Sequence, residues 1–221
     1  MWTCYIRAVL IADAPLTFRE FMTNEALPLA SIFREIFVFL TKRHDVVLFG
    51  AHAVNAYCEP ERMTQDVDLL STNAAALAED LRAHLAATFH VAVRVREVVP
   101  KVGFRIYQVQ KPKNRHLVDV RQEPTLPAHR VVDGVCVVEP IELVAMKVNA
   151  MTQRIHRPKG STDFTDLQRL LLAFPELKTD DGAVSERLRA LGGSEAVFAT
   201  WRDVVRERIE PDEDESDDED E

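Results

Sequence analysis

Apolar residues in the first part of the chain recur with a helical spacing and then form short continuous runs. Between residues 29 and 40 they return every three or four positions, which predicts a helix with one buried face that ends near Lys42. The apolar run over 46–49 stops at Gly50 and predicts a core strand, followed by a short helix over 51–58. A second apolar run over 66–70 predicts a second strand.

The middle of the chain has the two-residue alternation of half-buried strands. An alanine-rich stretch over 73–87 first predicts a helix. Alternating patterns then predict strands over 91–96, 102–107 and 116–121. Asp133-Gly134 interrupts the apolar run over 131–138, and this dipeptide is typical of the type I′ turn of a β-hairpin.

The last third of the chain has helical periodicity only. Helices are predicted over 140–151, 161–172, 184–191 and 194–209. Because strands come first and helices last, we expect an α+β fold: a mixed β-sheet core flanked by helices, with a helical C-terminal part. The expected divisions are an N-terminal segment and helix that pack on the core (1–45), the sheet core (46–138), the helical region (139–209) and a disordered tail (210–221).

Composition places the chain among globular proteins, with 47% hydrophobic and 29% charged residues. No apolar run approaches the roughly 20 residues that a bilayer-spanning helix needs, so we expect no membrane segment. The three cysteines are far apart and form no CxxC pair, which argues against a zinc knuckle or a disulfide framework. We therefore expect a protein of the reducing cytoplasm.

The net charge of −9 is concentrated at the C-terminus. Ten of the 36 acidic residues lie in 210–221, which leaves 26 acidic against 27 basic residues in the rest of the chain. A nearly neutral domain thus carries an acidic tail that is too poor in apolar residues to fold alone. Residues 94–115 form the opposite cluster, with seven basic residues opposed only by Glu97.

Candidate chemistry lies in residues 46–70. Asp66 and Asp68 are two residues apart on a predicted strand, so both carboxylates project from one face beside the glycine-initiated helix. Two carboxylates that close repel each other unless a cation or a proton lies between them, and Mg²⁺ prefers such hard oxygen ligands. The helix N-terminus after Gly50 would offer backbone N–H groups to a phosphate. Asp119 lies inside another apolar run, on a strand expected to lie beside that of Asp66 and Asp68.

These acidic residues have a simpler interpretation, in which Asp119 lies on a solvated face and Asp66 and Asp68 are exposed acids at a strand end. Asp66 and Asp68 alone would favour it. The preceding strand, glycine and helix, together with a third acidic residue on a strand, favour the metal–nucleotide site instead.

The same residues resemble the nucleotidyltransferase superfamily, and more closely the abortive-infection (AbiEii-like) toxin nucleotidyltransferases. That signature has a strand, a G-[G/S/A]-H-A-like helix start and then R-x-T-x-D-[I/V]-D. The matching residues are Gly50, Ala51, His52, Ala53, Arg62, Thr64, Asp66 and Asp68. Later elements match too: the strand residue Asp119, the L-x-x-x-K-x-x-A helix with its lysine at Lys147, then Arg154, Asp163 and Asp166.

The resemblance implies a role for each matched residue. Asp66 and Asp68 would hold one or two Mg²⁺ ions that bridge the nucleotide phosphates, and Asp119 would complete the metal site. Lys147 would neutralise the triphosphate, and Asp163 or Asp166 would orient Lys147 or the acceptor. Nucleotide binding would also involve Gly50, Ala51, His52, Arg62 and Thr64, with Arg62 bracing the loop before Asp66 or touching phosphate.

One residue departs from the superfamily pattern. In the superfamily pattern, the first glycine is usually followed by a second glycine or by a serine, whose hydroxyl binds phosphate. Ala51 occupies this position here and has no hydroxyl. His52 could partly compensate, although a histidine at a helix start is more often a packing residue. Lys147 lies at the edge of an apolar stripe, so its side chain either extends to solvent or is held inside a site.

The expected activity is Mg²⁺-dependent transfer of a nucleotidyl group from an NTP to an acceptor hydroxyl. The basic cluster over 94–115 would suit RNA, such as a tRNA end, if it is not simply a solvated hairpin face. The resemblance also implies a toxin–antitoxin or phage-defence role with an antitoxin partner. The alternatives are transfer to a small molecule or a protein, and a catalytically silent fold that acts as a binding module.

Overall fold

The computed structural model describes residues 27–211, and its strands all lie in the first part of that range. The strands are β1 Val46–Phe49, β2 Val67–Ser71, β3 Val93–Val99, β4 Gly103–Gln108, β5 Arg115–Gln122, β6 His129–Val132 and β7 Val135–Val138. The helices are α1 Leu29–Leu40, α2 Gly50–Asn55, α3 Ala74–Phe89, α4 Pro140–Gln153, α5 Pro158–Ala173, α6 Ala183–Ala190 and α7 Glu195–Arg206. A short 3₁₀ helix spans Pro175–Leu177.

The seven strands form one mixed sheet in the order β3-β4-β5-β2-β1-β7-β6. The β1–β7 and β2–β5 pairs are parallel, and the other neighbours are antiparallel. The predicted α+β architecture with a mixed sheet is thereby confirmed. The predicted hairpin is confirmed as well, because Asp133 and Gly134 both have positive φ angles (49° and 82°) between the paired strands β6 and β7.

One face of the central strands is buried and the other is partly open. Side chains of Val67, Leu69, Val118 and Val120 are fully buried on the face that α3 covers. Helix α1 packs in turn on α3 through its apolar stripe, which includes Ile32 and Ile36. Asp68 of β2 and Asp119 of β5 lie on the opposite face and are only half-buried, so these acidic residues are accessible.

Two compact units divide the chain between Glu139 and Pro140. The second unit contains α4 to α7 and has an apolar core that includes Leu143, Leu167, Leu188 and Trp201. Helix α4 packs against α5, α6 and α7.

Most predicted elements are present, with their ends displaced by one to three residues. The helix after β1 is shorter than expected and ends at Asn55, whereas β3 begins at Val93 and continues to Val99. Residues 1–26 and 212–221 lie outside the described range, so the predicted disorder of the acidic tail stays a prediction. Over residues 27–211, no helix combines the length and the apolar character that crossing a bilayer would require.

Candidate active site

The carboxylates predicted from the sequence meet on the partly open face of the sheet. Strands β2 and β5 are direct neighbours, and Asp68 pairs with Asp119 in their parallel register. Paired residues project to the same face, and Asp66 precedes β2 at a spacing that places it on the face of Asp68. Three acidic residues from two adjacent strands therefore share one side of the sheet.

Gly50 lies directly beneath the carboxylate of Asp68. Its φ angle is +73°, and a Cβ atom there would overlap Asp68 Oδ2. Phe49, the last residue of β1, pairs with Asp68 across the antiparallel β1–β2 register. The glycine is required on two counts, since it adopts a left-handed conformation and leaves room for the acidic side chain.

A β-bulge brings one further residue, His116, to this face. Ile106 pairs with Val118, but the next pair along β4 is Tyr107 with His116, so Leu117 is an extra residue on β5. Without the bulge, alternation would place His116 with the buried Val118. With the bulge, the imidazole lies on the face of Asp119. Arg105 pairs with Asp119 and Tyr107 pairs with His116, and Arg105 and Tyr107 share a face because they are two residues apart on β4.

The imidazole of His116 lies between two of the carboxylates. Its Nδ1 is 3.2 Å from Asp66 Oδ2, and its Nε2 is 3.3 Å from Asp119 Oδ1. Burial by itself lowers the pKa of His116, but the contacts with Asp119 and Asp66 outweigh it and raise the pKa to about 9. The Tyr107 ring, 5.2 Å away between centroids, covers the imidazole.

Arg105 supplies a second cation to the same cluster. Its Nε donates a hydrogen bond of 2.7 Å to Asp119 Oδ1. Half-burial alone would raise the pKa of the Asp119 carboxyl, but His116 and Arg105 hold that pKa below its usual value. Asp119 is therefore ionised at neutral pH, as a metal ligand must be.

These side chains fit a divalent cation. One ligand atom each from Asp66, His116 and Asp119 lies within 4.8 Å of the other two, and all three residues are half-buried. Asp68 adds a carboxylate in register with Asp119. Oxygen-rich ligand sets with an accessible side suit Mg²⁺ or Mn²⁺.

Hydrogen bonds between side chains and backbone groups hold the loop between α2 and β2. The buried Asn55 side chain donates to the Arg62 carbonyl at 2.8 Å and accepts from the Arg62 N–H at 3.2 Å. The Arg62 guanidinium donates to the Met63 carbonyl, and the Thr64 hydroxyl donates to the Asp66 carbonyl at 3.3 Å. Asn55 thus fixes the approach to Asp66.

His52 lies in an apolar environment. Its ring packs edge-on against Phe33 and Phe37 of α1, with centroids 4.8 Å and 5.1 Å away, and the residue is only 8% exposed. Burial lowers the pKa of His52 to about 4. The contacts of His52 are therefore those of a packing residue, which is the alternative that its position at a helix start suggests. Ala51 beside it is also buried.

Lys147 is held inside a cluster of charges within the second unit. Its Nζ lies 2.6 Å from Asp166 Oδ2 and 3.1 Å from Asp163 Oδ1, and Arg154 donates to the other oxygen of Asp163 at 2.9 Å. Lys147 is 8% exposed and Asp166 is fully buried. Of the two alternatives for Lys147, the structure has the enclosed one, and both aspartates contact its ammonium group.

Sequence reasoning missed His116 and Asn55 as parts of the site. The only sequence signal for His116 is its position three residues before the candidate ligand Asp119. Strand alternation alone places His116 on the wrong face of the sheet. Nothing in the local sequence marks the bulge that corrects this.

A model of the family described as "Nucleotidyl transferase AbiEii toxin, Type IV TA system" matches residues 31–220. The chain belongs to this family. The predicted membership and the predicted enzyme class, nucleotidyltransferase, are thereby confirmed. No curated protein matches the chain in sequence.

Several solved structures are similar in fold, a bacterial and a viral protein among them. JHP933 from Helicobacter pylori superposes with a TM-score of 0.54 at 14% identity, over 86% of this chain and 90% of that one. The Megavirus polyadenylate synthase also gives a TM-score of 0.54 at 14% identity, over 66% of this chain. The matched region spans about a third (32%) of that synthase, so the likeness concerns the fold alone.

Replacement of Gly50 by alanine tests the close approach beneath Asp68. We expect Gly50→Ala to lower the free energy of unfolding by about 1–2 kcal/mol, because alanine is strained at this left-handed φ. The added Cβ should also displace the Asp68 carboxylate and abolish metal-dependent thermal stabilisation. Gly192→Ala is the matched control, because Gly192 has a φ of +71° but open space around it. Equal loss of metal stabilisation in both variants would contradict this interpretation.

The buried His52 predicts a specific acid sensitivity. Its pKa in the folded protein, about 4, is below the ordinary value of 6.5, so the unfolded chain binds the proton first as pH falls. The stability that neutral His52 allows is complete above pH 6.5 and declines toward pH 4, by about 2.5 kcal/mol at pH 4.5. Denaturant titrations of wild type, His52→Gln and the exposed-site control His44→Gln measure it. Only His52→Gln should have the shallower pH dependence, and parallel curves for all three would show that His52 is not responsible.

Proposed function

We propose that the protein transfers a nucleotidyl group from an NTP to an acceptor hydroxyl, and that the carboxylates of Asp66, Asp68 and Asp119 form its catalytic centre. The observation that carries this proposal is the convergence of these three residues on one face of the sheet, over a glycine that leaves room for them. In the reaction, the acceptor oxygen bonds to the α-phosphorus, and the bond from that phosphorus to the pyrophosphate oxygen breaks.

Asp66, Asp68 and Asp119 are the residues that would hold Mg²⁺. Bound there, the ion would neutralise the negative charge that develops on the phosphates as the bond to pyrophosphate breaks. Gly50 keeps the backbone clear of Asp68, and the Asn55–Arg62 contacts, with Thr64, set the position of Asp66. Arg62 therefore braces the loop in this proposal.

Lys147 is the proposed partner of the triphosphate within the helical unit. Asp163 and Asp166 orient its ammonium group by their two ion pairs, and Arg154 steadies Asp163. The two ion pairs offset the cost of burying the ammonium group of Lys147.

Conservative replacement of Asp68 tests the proposal. We expect Asp68→Asn to lower nucleotidyl transfer from labelled NTPs by on the order of 100-fold or more, because a neutral amide replaces an ionised ligand. Asp80→Asn is the control, since Asp80 is an exposed acid of α3 that pairs with Arg43. Total RNA, small molecules and protein are supplied in turn as acceptors.

Transfer that survives Asp68→Asn unchanged would overturn the assignment of the site. A wild-type protein that neither transfers a nucleotide nor is stabilised by Mg²⁺ and NTP would instead be a silent binding module.

RNA is the proposed acceptor, and the arginines of β3 and β4 support it. Arg96 pairs with Arg105, and Arg105 pairs with Asp119, so a row of residues crosses the sheet from the arginines to the carboxylates. Arg94 pairs with Tyr107 on the same face. These arginines are exposed, and a polyanion could lie along them with its terminal hydroxyl directed to the carboxylates.

Removal of two of these charges tests the acceptor. We expect an Arg94→Gln/Arg96→Gln double variant to bind RNA more weakly and to reduce the slope of log affinity against log salt by about 1–2 units. The charge-matched control is Arg34→Gln/Arg82→Gln, because those arginines lie on α1 and α3, which cover the other face. Identical slopes for the two double variants would exclude the β3–β4 arginines as an RNA surface.

A toxin role with a separately encoded antitoxin follows from the family, and we place it in the cytoplasm. Among the described residues, the thiol of Cys136 is buried and forms no disulfide, which suits a reducing compartment.

A further inference from the structure

His116 occupies a position that the three-aspartate scheme leaves unexplained. A bulge on β5 is needed to place it on the face of the carboxylates, and each of its ring nitrogens then lies beside a different aspartate. Bulges that re-aim one side chain are frequent beside active sites. The inference drawn from this geometry rests on the proposed metal-dependent function.

We propose that His116 is a direct nitrogen ligand, through Nδ1, of the divalent cation held by Asp66, and that Asp119 orients the ring through Nε2. The site then has a mixed nitrogen and oxygen ligand set, and this makes its choice of metal different from that of a purely carboxylate site.

The separation of the ligand atoms suits this arrangement. Nδ1 of His116 and Oδ2 of Asp66 are 3.2 Å apart. Two adjacent ligands of an octahedral ion, each about 2.1 Å from the metal, are roughly 3.0 Å apart. A cation can therefore replace the proton between these two atoms with little movement of either side chain.

Asp119 lies where the carboxylate partner of a metal-bound histidine would lie. Such a histidine commonly donates its second ring N–H to a carboxylate, which fixes the ring and its tautomer. Here Asp119 Oδ1 lies 3.3 Å from Nε2 without hydrogen-bond geometry, so the ring must turn slightly to donate to it, and Arg105 holds that same oxygen at 2.7 Å. Nε2 is shielded from solvent and the Tyr107 ring covers the imidazole, so Nδ1 is the nitrogen available to a metal.

A nitrogen ligand should change the metal preference in a measurable way. Imidazole raises affinity along the series from Mn²⁺ to Co²⁺, whereas Mg²⁺ strongly prefers oxygen. We expect the wild-type protein to bind Mn²⁺ and Co²⁺ more tightly than Mg²⁺, and His116→Asn to lose about 10–100-fold of its Mn²⁺ affinity with a smaller loss for Mg²⁺.

The experiment is Mn²⁺ binding to the full-length protein, freed of metal with EDTA. Pulsed electron paramagnetic resonance detects ¹⁴N coupling to bound Mn²⁺, and calorimetry gives the Mn²⁺, Co²⁺ and Mg²⁺ affinities. Coupling is expected in the wild type and absent in His116→Asn and Asp66→Asn. The matched control is His84→Asn, because His84 also contacts a carboxylate, with its Nε2 2.6 Å from Glu35 Oε1, but lies on α3.

The outcomes separate this inference from the proposed function. Mn²⁺ bound without ¹⁴N coupling in the wild type, or failure to bind Mn²⁺, overturns the nitrogen ligand. Labelled-NTP transfer in the same preparation decides the function independently. Melting in EDTA shows whether His116→Asn folds. If it does not fold, the spectra of the wild type and of His84→Asn decide, because ¹⁴N coupling in both supports the inference.

Discussion

Repulsion between like charges is the constraint on which the site depends. Asp68 and Asp119 face each other across a parallel strand pair, and Asp66 lies on the same face. Such a cluster is stable only if cations lie among the carboxylates. Arg105 and His116 provide them, each in direct contact with Asp119. The face thus has a charge cluster in which two cations offset most of the charge of three carboxylates, with ligand atoms held close together.

The second unit uses the same principle in a drier environment. Lys147 is enclosed by Asp163 and Asp166, and Arg154 balances the additional negative charge. Glu142, which is buried, and Arg187, which is half-buried, form another ion pair, 2.6 Å apart, in the same unit. Breaking one member of such a pair leaves an uncompensated buried charge, so these groups constrain one another as well as any ligand.

Local patterns were sufficient for most of the fold. Period-two alternation located β4 and β5, helical spacing located α1, and Asp133-Gly134 specified its hairpin, because each signal involves residues close in sequence. The shared face of Asp66 and Asp68 followed from the same alternation. The apolar run around Asp119 already marked that residue as a candidate, and the family resemblance added Lys147 and the two aspartates of α5, which no local pattern brings together.

Tertiary structure alone decided the position of His116, the task of Asn55 and the surroundings of His52. Alternation places His116 beside the buried Val118, and only the pairing of β5 with β4 reveals the extra residue that reverses it. The contacts of His52 with Phe33 and Phe37 join two helices that are separate in sequence, so no local pattern could show them. The sequence by itself determined which residues share a face within one strand or helix, because that depends on backbone geometry. Register and contacts between distant segments depend on how those segments pack, and the tertiary structure decided them.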